Sequence, residues 1–238
     1  MYKRQDHLVG DTVYFDALTP LGRELMAYNL LNHTSWLVAD LELGQVGSNP
    51  GEHMSLVVGD TLLFDTADDS LWAHDTSNGT TWRVMQHLGT NAGEGTHEAV
   101  VGTMAFFQAQ DAAGGQELWS FDAQTGQAFR AADLVPGPDG SSPGQNMMVG
   151  LNGVVYFDAS THSTGRELWA HDPADGSTWV VADIAYDDPN ATTTDPSSNP
   201  ARSFWAFHDG CLFFDAYESQ TGREMWKMCL EHTVSYGL

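Results

Sequence analysis

The sequence predicts an all-β protein, a five-bladed β-propeller with four antiparallel strands per blade. Three observations support this prediction. One pattern of short strands recurs five times, turn-forming Gly, Asp, Asn and Pro residues separate the strands, and no apolar helical periodicity persists. Because four antiparallel strands per repeat correspond to one propeller blade, we expect residues 1–238 to form a single domain with almost no helix.

The clearest repeated element is a Phe-centred strand, with the sequence VYFDA at residues 13–17 in the first copy. An apolar run precedes each copy and two further runs follow it, so each repeat contains four strands. In the fifth repeat the last strand is predicted at residues 234–236. The predicted repeat units cover approximately residues 6–44, 53–89, 97–135, 146–185 and 202–238.

The number of repeats predicts a closed arrangement. Five whole units can form a ring, and closure would hide the edge strands that an open stack exposes. The segment YKRQ at residues 2–5 resembles the translation of a sequencing adapter, a common scar at the edges of metagenomic sequences. This resemblance implies that the natural N-terminus is missing, which would allow the natural protein to carry additional blades.

The chain is strongly acidic, with 32 Asp and Glu against 9 Lys and Arg and a formal net charge of -23. Such a surface repels nucleic acid and anionic membranes, and no apolar run is long enough for membrane insertion. We therefore expect neither of these partners. The acidic residues either keep the protein soluble in salty or extracellular surroundings, or some of them converge on calcium.

The best-preserved copy of the repeat is GRELWAHD at residues 165–172, followed by GST at 176–178 and VADI at 181–184. It resembles the ELWxxDGT repeat of bacterial secreted and surface proteins. The linkers GSNP at 47–50 and GSSP at 140–143 resemble the Gly-Ser-x-Pro linker of the same family. The resemblance covers nearly the whole chain. It implies an architectural module of a secreted or surface protein, without an assigned chemistry.

Some copies depart from this pattern. Met26 replaces Trp in the first unit, Ser70 replaces Glu in the second, and the fifth unit ends in CLE at residues 229–231. Because the other repeated residues have structural roles, we expect a unique site to lie in these drifted copies.

Tryptophan provides the candidate ligand-binding residues. The four copies at the repeat position Leu-Trp are expected to pack between neighbouring sheets: Trp72, Trp119, Trp169 and Trp226. A second set lies one strand later, nearer an edge, where the rings could stack on sugars, and one further residue falls outside the repeat. The predicted ligand-binding residues are Trp36, Trp82, Trp179 and Trp205.

Calcium is the one cofactor that the sequence suggests, since no zinc-binding motif occurs. Asp40, Asp133 and Asp183 each precede a Gly- or Pro-rich linker, and oxygen-rich loops of this kind can hold calcium. None of the three has the spacing of a calcium-loop motif. Keeping the protein soluble is the alternative role of its acidic residues.

Cys211 and Cys229 flank one hairpin at equal distances from its turn near Gln220, so they are expected to lie opposite each other. This placement permits a cross-strand disulfide, which would suit an oxidising compartment. Buried free thiols are the alternative.

The sequence favours a non-catalytic binding scaffold, outside the cell or on its surface, whose partner is a protein or a glycan. The full repetition and the lack of a convergent catalytic group support this interpretation. The alternative is a lectin with exposed Trp and carboxylates in grooves between blades, either calcium-dependent or not. A glycoside hydrolase is the third hypothesis, since propellers can hold paired carboxylates around the central channel.

Overall fold

The computed structural model describes residues 6–86, 97–110, 114–185 and 197–229. All regular secondary structure in these residues is β, in nineteen strands and five antiparallel sheets. Both the all-β class and the five-bladed β-propeller are thereby confirmed. The described residues contain no helix with the length and apolar character needed to span a membrane.

Each sheet is one blade. The first two blades contain β1 (His7–Val9), β2 (Thr12–Thr19), β3 (Gly22–Asn29), β4 (Thr34–Ala39), β5 (Ser55–Val58), β6 (Thr61–Asp65), β7 (Leu71–Asp75) and β8 (Thr81–Met85). The third and fourth contain β9 (Ala99–Val101), β10 (Met104–Ala109), β11 (Glu117–Asp122), β12 (Gln127–Ala132), β13 (Met148–Leu151), β14 (Val154–Thr161), β15 (Gly165–Asp172) and β16 (Ser177–Ala182). The fifth contains β17 (Trp205–His208), β18 (Cys211–Glu218) and β19 (Gly222–Cys229), and its predicted last strand at 234–236 lies outside the described residues.

Strands pair in chain order within every blade, so each blade is an antiparallel meander. The turn after the third strand shows why the repeat conserves its spacing of Asp and Gly. The carboxylate of Asp172 accepts the backbone N–H of Ala174, and Gly176 adopts a positive φ of 76°. Asp122 and Gly126 form the same turn in the third blade. The Asp side chain satisfies the turn backbone, and Gly tolerates the left-handed conformation.

Consecutive blades pack face to face through four hydrophobic clusters. In the cluster between the fourth and fifth blades, Leu168 and Ala170 of β15 lie with Leu212, Phe214 and Ala216 of β18. Equivalent clusters join the first blade to the second, the second to the third and the third to the fourth. In the described part of the chain no such cluster joins the fifth blade to the first.

The repeated Trp residues contribute to these interfaces. Trp72, Trp119 and Trp169 are partly buried and pack against the cluster that their blade shares with the preceding one, as expected. Trp226 differs, because it is 36% exposed and belongs to none of the four clusters. The fifth blade therefore departs from the repeat in packing as well as in sequence.

A buried carboxylate holds the linker between blades. Glu117 of β11 is fully enclosed and accepts hydrogen bonds from the backbone N–H groups of Leu134, Val135 and Ser141, each at 3.0 Å. The Ser141 hydroxyl donates a fourth, at 2.6 Å. The pairs Glu24–Ser48 and Glu167–Ser198 repeat this arrangement in the first and fourth blades. This interaction explains why the repeat combines Glu with a Gly-Ser linker.

The linker glycine is required by close backbone contact. Ser141 and Ser142 donate their backbone N–H groups to the Gln116 carbonyl oxygen, which brings the linker against the start of β11. A Cβ atom on Gly140 would lie 2.1 Å from the Gln116 nitrogen. Gly47 faces Arg23 in the same way in the first blade. Only glycine fits where two backbones approach so closely.

Replacing Glu117 with Ala tests the role of this buried carboxylate. The change leaves the N–H groups of Leu134 and Val135 and the hydroxyl of Ser141 without their acceptor, so we expect the free energy of unfolding to fall by about 3 kcal/mol or more. Urea denaturation measures the change. Glu224→Ala, at the exposed equivalent position in the fifth blade, is the matched control and should cost less than about 0.5 kcal/mol. If the two variants lose the same free energy of unfolding, the role of Glu117 in holding the linker is contradicted.

Candidate functional site

The predicted tryptophans on the outermost strands occupy equivalent positions, one per blade. Trp36, Trp82 and Trp179 lie opposite Ala27, Ala73 and Ala170 of the neighbouring strands. Their rings therefore sit on the face that each blade turns towards the next one. Trp36 and Trp179 are 42% and 41% exposed.

Trp82 is the exception within this set. Its indole N–H donates to the Gly126 carbonyl oxygen at 3.1 Å, and its ring lies against that turn glycine of the third blade. Trp82 is therefore a structural contact between blades. Phe129 takes the corresponding place in the third blade and is 47% exposed, so it joins Trp36 and Trp179 as an exposed aromatic residue that the sequence analysis missed.

Trp205 lies away from this outer row. It belongs to β17, the first strand of the fifth blade, pairs with Phe214 and is partly buried against the cluster shared with the fourth blade. The imidazole of His97, from the segment before β9, meets the Trp205 ring edge-on at 6.4 Å between centroids. The four predicted ligand-binding tryptophans thus do not form one site.

The three candidate calcium ligands are also separate. Asp133 forms an ion pair with Arg130 at 3.3 Å, and Asp183 lies near Glu167, where its charge contributes to a raised Glu167 pKa after the larger effect of burial. Asp40 has one buried carboxylate oxygen that has no hydrogen-bond partner among the described residues. Among the described residues, no group of three or more His, Cys, Asp or Glu side chains has a metal-binding arrangement.

Cys211 and Cys229 lie directly opposite each other in the β18–β19 pair and are joined by a disulfide bond. The register that the sequence predicted for this hairpin is the one observed. The bond links the two strands at the end of the hairpin farthest from its turn.

A groove lies between the first and second blades, in one of the drifted copies. Its volume is about 230 Å³, and Glu42, Asp68 and Trp72 line it together with further residues of the linker and of the β6–β7 hairpin, including Leu41 and Val46. β6 and β7 have five residues each, whereas the corresponding strands of the first, fourth and fifth blades have eight. The shorter hairpin leaves open the space beside Trp72.

The same hairpin accounts for Ser70 replacing Glu. The Asp68 carboxylate accepts hydrogen bonds from the hydroxyls of Thr66 and Ser70 at 2.6 and 2.9 Å, which closes a tight turn. The groove therefore combines one indole ring with two carboxylates on a rigid frame. Such a surface can stack against an apolar ring face and accept hydrogen bonds from hydroxyl or amine groups.

A second departure from the repeat concerns the Asp residue that recurs in the second strand of each blade. In the fourth blade Asp158 is fully buried, forms an ion pair with Arg166 at 2.6 Å and accepts the N–H groups of Asn146 and Met147. In the second blade a His ring replaces the Arg, with His53 Nδ1 2.9 Å from Asp65. In the third blade Gln108 replaces the Asp, and its buried side-chain oxygen has no partner in the described part of the chain.

Glu98 lies close to these two drifted blades. Burial raises the pKa of its carboxyl to about 7, and the charge of Asp65 adds to the effect. A carboxyl group with this pKa exchanges its proton near neutral pH. The sequence analysis did not single out Glu98, although the change from Asp to Gln at position 108 was a visible signal of altered chemistry at this interface.

No protein-family model and no curated protein matches the chain. Several solved structures resemble it at low sequence identity. A puromycin hydrolase S511A mutant complexed with PGG has 15% identity and a TM-score of 0.52, covering 87% of this chain and 32% of its own. An oligogalacturonate lyase from Vibrio parahaemolyticus has 12% identity and a TM-score of 0.51, covering 92% and 59%.

The computationally designed Ika8 protein has 12% identity and a TM-score of 0.50, covering 94% of this chain and 57% of its own. At these identities the likeness shows the fold alone. The chain spans between about a third and three fifths of the length of these proteins.

The raised pKa of Glu98 predicts a pH dependence of stability. The carboxyl titrates at about 7 in the folded protein, against an ordinary value of 4.5, so the folded state holds the proton more tightly. Its contribution to stability is present below pH 4.5 and is lost as the pH rises through 7. Urea denaturation at a series of pH values should show that the free energy of unfolding falls by about 3 kcal/mol as the pH rises through these limits, and that Glu98→Gln avoids this loss. Identical pH profiles for the two proteins would contradict this prediction.

Proposed function

We propose that this protein is a non-catalytic binding scaffold, located outside the cell or on its surface. The observation that carries the proposal is that the repeated carboxylates and the aromatic residues of the outermost strands have different roles. The repeated carboxylates hold the linkers and strand ends, as Glu117 and Asp158 do, whereas the outermost strands present exposed aromatic rings. These rings belong to Trp36, Phe129 and Trp179.

The chemistry of this outer surface favours a protein or a glycan as partner. Exposed aromatic rings provide large apolar contact areas, and Trp and Tyr are enriched where proteins bind other macromolecules. The net charge of -23 disfavours nucleic acid. The disulfide between Cys211 and Cys229 supports an oxidising compartment, where such bonds persist.

A carbohydrate-binding lectin is the second candidate. The groove between the first and second blades favours it, because Trp72 lies there beside Glu42 and Asp68. An indole ring can stack on a sugar face while the carboxylates accept hydrogen bonds from sugar hydroxyls. Calcium would extend this mode of binding by bridging carboxylate and hydroxyl oxygens.

A glycoside hydrolase has less support. Hydrolase and lyase propellers occur among the structures that resemble this chain, but fold does not determine activity. Glycoside hydrolysis requires two carboxyl groups facing the scissile bond. Asp158 and Asp215 instead form ion pairs with Arg166 and Arg223.

Arrays distinguish these functions directly. The purified protein is applied to an array of extracellular proteins and to a glycan array, the latter with millimolar calcium and again with chelator. A triple variant carries Trp36→Ala, Phe129→Ala and Trp179→Ala, and a second variant carries Trp72→Ala. We expect binding to at least one protein, with a loss of tenfold or more in the triple variant, or about 1.4 kcal/mol, and no change in the Trp72 variant.

The alternative outcomes separate the candidates. Glycan binding that depends on Trp72 would establish the lectin, and its loss with chelator would add calcium as a ligand. Hydrolysis of an arrayed glycan would establish an enzyme. If the protein binds to nothing on either array, the result would contradict a binding function.

A further inference from the structure

The groove between the first and second blades carries an excess of negative charge. Glu42 from the linker and Asp68 from the β6–β7 hairpin supply two carboxylates to its lining. Within the described residues neither carboxylate forms an ion pair. The charge of Arg83 acts on Asp68, but one positive charge does not balance two negative ones. The groove therefore favours a positively charged ligand.

The carboxylate of Asp68 is held in a fixed position and stays ionised. It accepts the hydroxyl of Thr66 at 2.6 Å, and it accepts both the hydroxyl and the backbone N–H of Ser70, at 2.9 and 3.2 Å. Burial acts to raise the pKa of this carboxyl group, but these hydrogen bonds and the charge of Arg83 together lower the pKa below its ordinary value. The group therefore keeps its negative charge at neutral pH.

Apolar surface lies beside this charge. Leu41, Val46 and Trp72 contribute to the lining of the groove. In the third and fourth blades the indole nitrogen atoms of the equivalent residues, Trp119 and Trp169, are buried, whereas Trp72 lines an open groove. The second blade therefore combines an accessible indole with two carboxylates in one place.

The chain itself shows that the indole of Trp72 attracts a positive charge. Arg83 lies opposite Trp72 in the β7–β8 pair, and its guanidinium carbon is 5.0 Å from the centroid of the indole ring. An aromatic ring attracts a cation at this distance through its quadrupole. A cationic ligand in the groove would meet the same indole and, in addition, the carboxylates of Glu42 and Asp68.

These properties discriminate between classes of ligand. The two carboxylates repel anionic ligands, and a neutral sugar gains contact with the indole but no charge pairing. An ammonium group carried on a rigid ring with an apolar face gains both interactions. A Lys side chain also offers an ammonium group, but it loses rotamer freedom on binding, whereas a sugar ring is already rigid.

We infer that the groove binds a hexosamine residue whose amine is free and protonated. The sugar ring lies against Trp72, and the ammonium group donates hydrogen bonds to the carboxylates of Glu42 and Asp68. The inference rests on the second candidate function, the lectin, and adds the class of sugar to it. It does not involve the exposed aromatic rings of the outermost strands, since none of them lines the groove.

Isothermal titration calorimetry with two matched sugars tests the inference. The whole chain is titrated with a glucosamine disaccharide and with its N-acetylated counterpart, below the pKa of the amine and at physiological ionic strength, which screens long-range attraction to the acidic surface. We expect a dissociation constant of about 1 mM or lower for the free amine. The acetylated sugar should bind about tenfold more weakly, because it cannot form the charge-assisted hydrogen bonds.

The alternative outcomes separate this inference from the functions on which it builds. Equal affinities for the two sugars would leave the lectin standing and overturn the selection by charge. If neither sugar binds, both the inference and a lectin site in this groove are overturned. The scaffold function is tested independently, since binding to arrayed proteins is expected to depend on the rings of Trp36, Phe129 and Trp179.

Three variants locate the charge selection in the groove. Glu42→Gln removes one carboxylate and should weaken binding of the free amine about fivefold, and Arg83→Gln removes a competing cation and should strengthen it about threefold. Glu224→Gln is the matched control, because it removes the same charge as Glu42→Gln from an exposed position in the fifth blade, and it should leave the affinity unchanged. Equal effects of Glu42→Gln and Glu224→Gln would show general attraction to an acidic surface and overturn the inference.

A further titration tests the choice of a sugar over a peptide. The probe is Nα-acetyl-lysine amide, which carries one ammonium group on a flexible stem. We expect it to bind at least about fivefold more weakly than the glucosamine disaccharide, because its stem must be ordered on binding. Equal or tighter binding of the lysine derivative would assign the groove to a Lys side chain and overturn the assignment to a hexosamine.

Discussion

A buried carboxylate determines how the chain passes from one blade to the next. Glu24, Glu117 and Glu167 each accept hydrogen bonds from a linker that would otherwise carry unpaired backbone N–H groups into the interior. Buried polar groups of this kind are costly unless they are paired. Because the linker is held at the start of the third strand, the next blade begins at a defined place, and its second strand meets the face of the preceding blade.

The same constraint explains why the drifted blades carry the distinctive surfaces. In the second blade the hairpin is short and Ser70 replaces Glu, and there a groove opens beside Trp72. In the fifth blade Glu224 and Met225 are exposed, although their equivalents elsewhere are buried. Where the repeat is intact, its side chains are occupied with packing and tethering. In the second and fifth blades, further surface becomes accessible.

The candidate functions rest on the exposed aromatic rings of the outermost strands and on the groove beside Trp72. The outermost strands of the first, third and fourth blades carry aromatic residues that remain exposed: Trp36, Phe129 and Trp179. Trp82 shows how context alters the role of a repeated residue, because its indole N–H bonds to Gly126 and its ring covers that turn. Glu98, just before β9, also shows an effect of context. Burial there, together with the charge of Asp65, raises the pKa of its carboxyl group, and the repeat contains no equivalent carboxyl.

The sequence by itself determined the fold class, the number of blades, the turns that contain Asp172 and Gly176, and the register that places Cys211 opposite Cys229. These features depend on local alternation, turn chemistry and repetition, which a sequence displays directly. Only the tertiary structure decided that Trp82 is a structural contact, that Asp40, Asp133 and Asp183 stay apart, and that Met225 is exposed. Those outcomes depend on which surfaces of different blades meet, and equivalent residues in a repeat acquire different surroundings only when the blades are assembled.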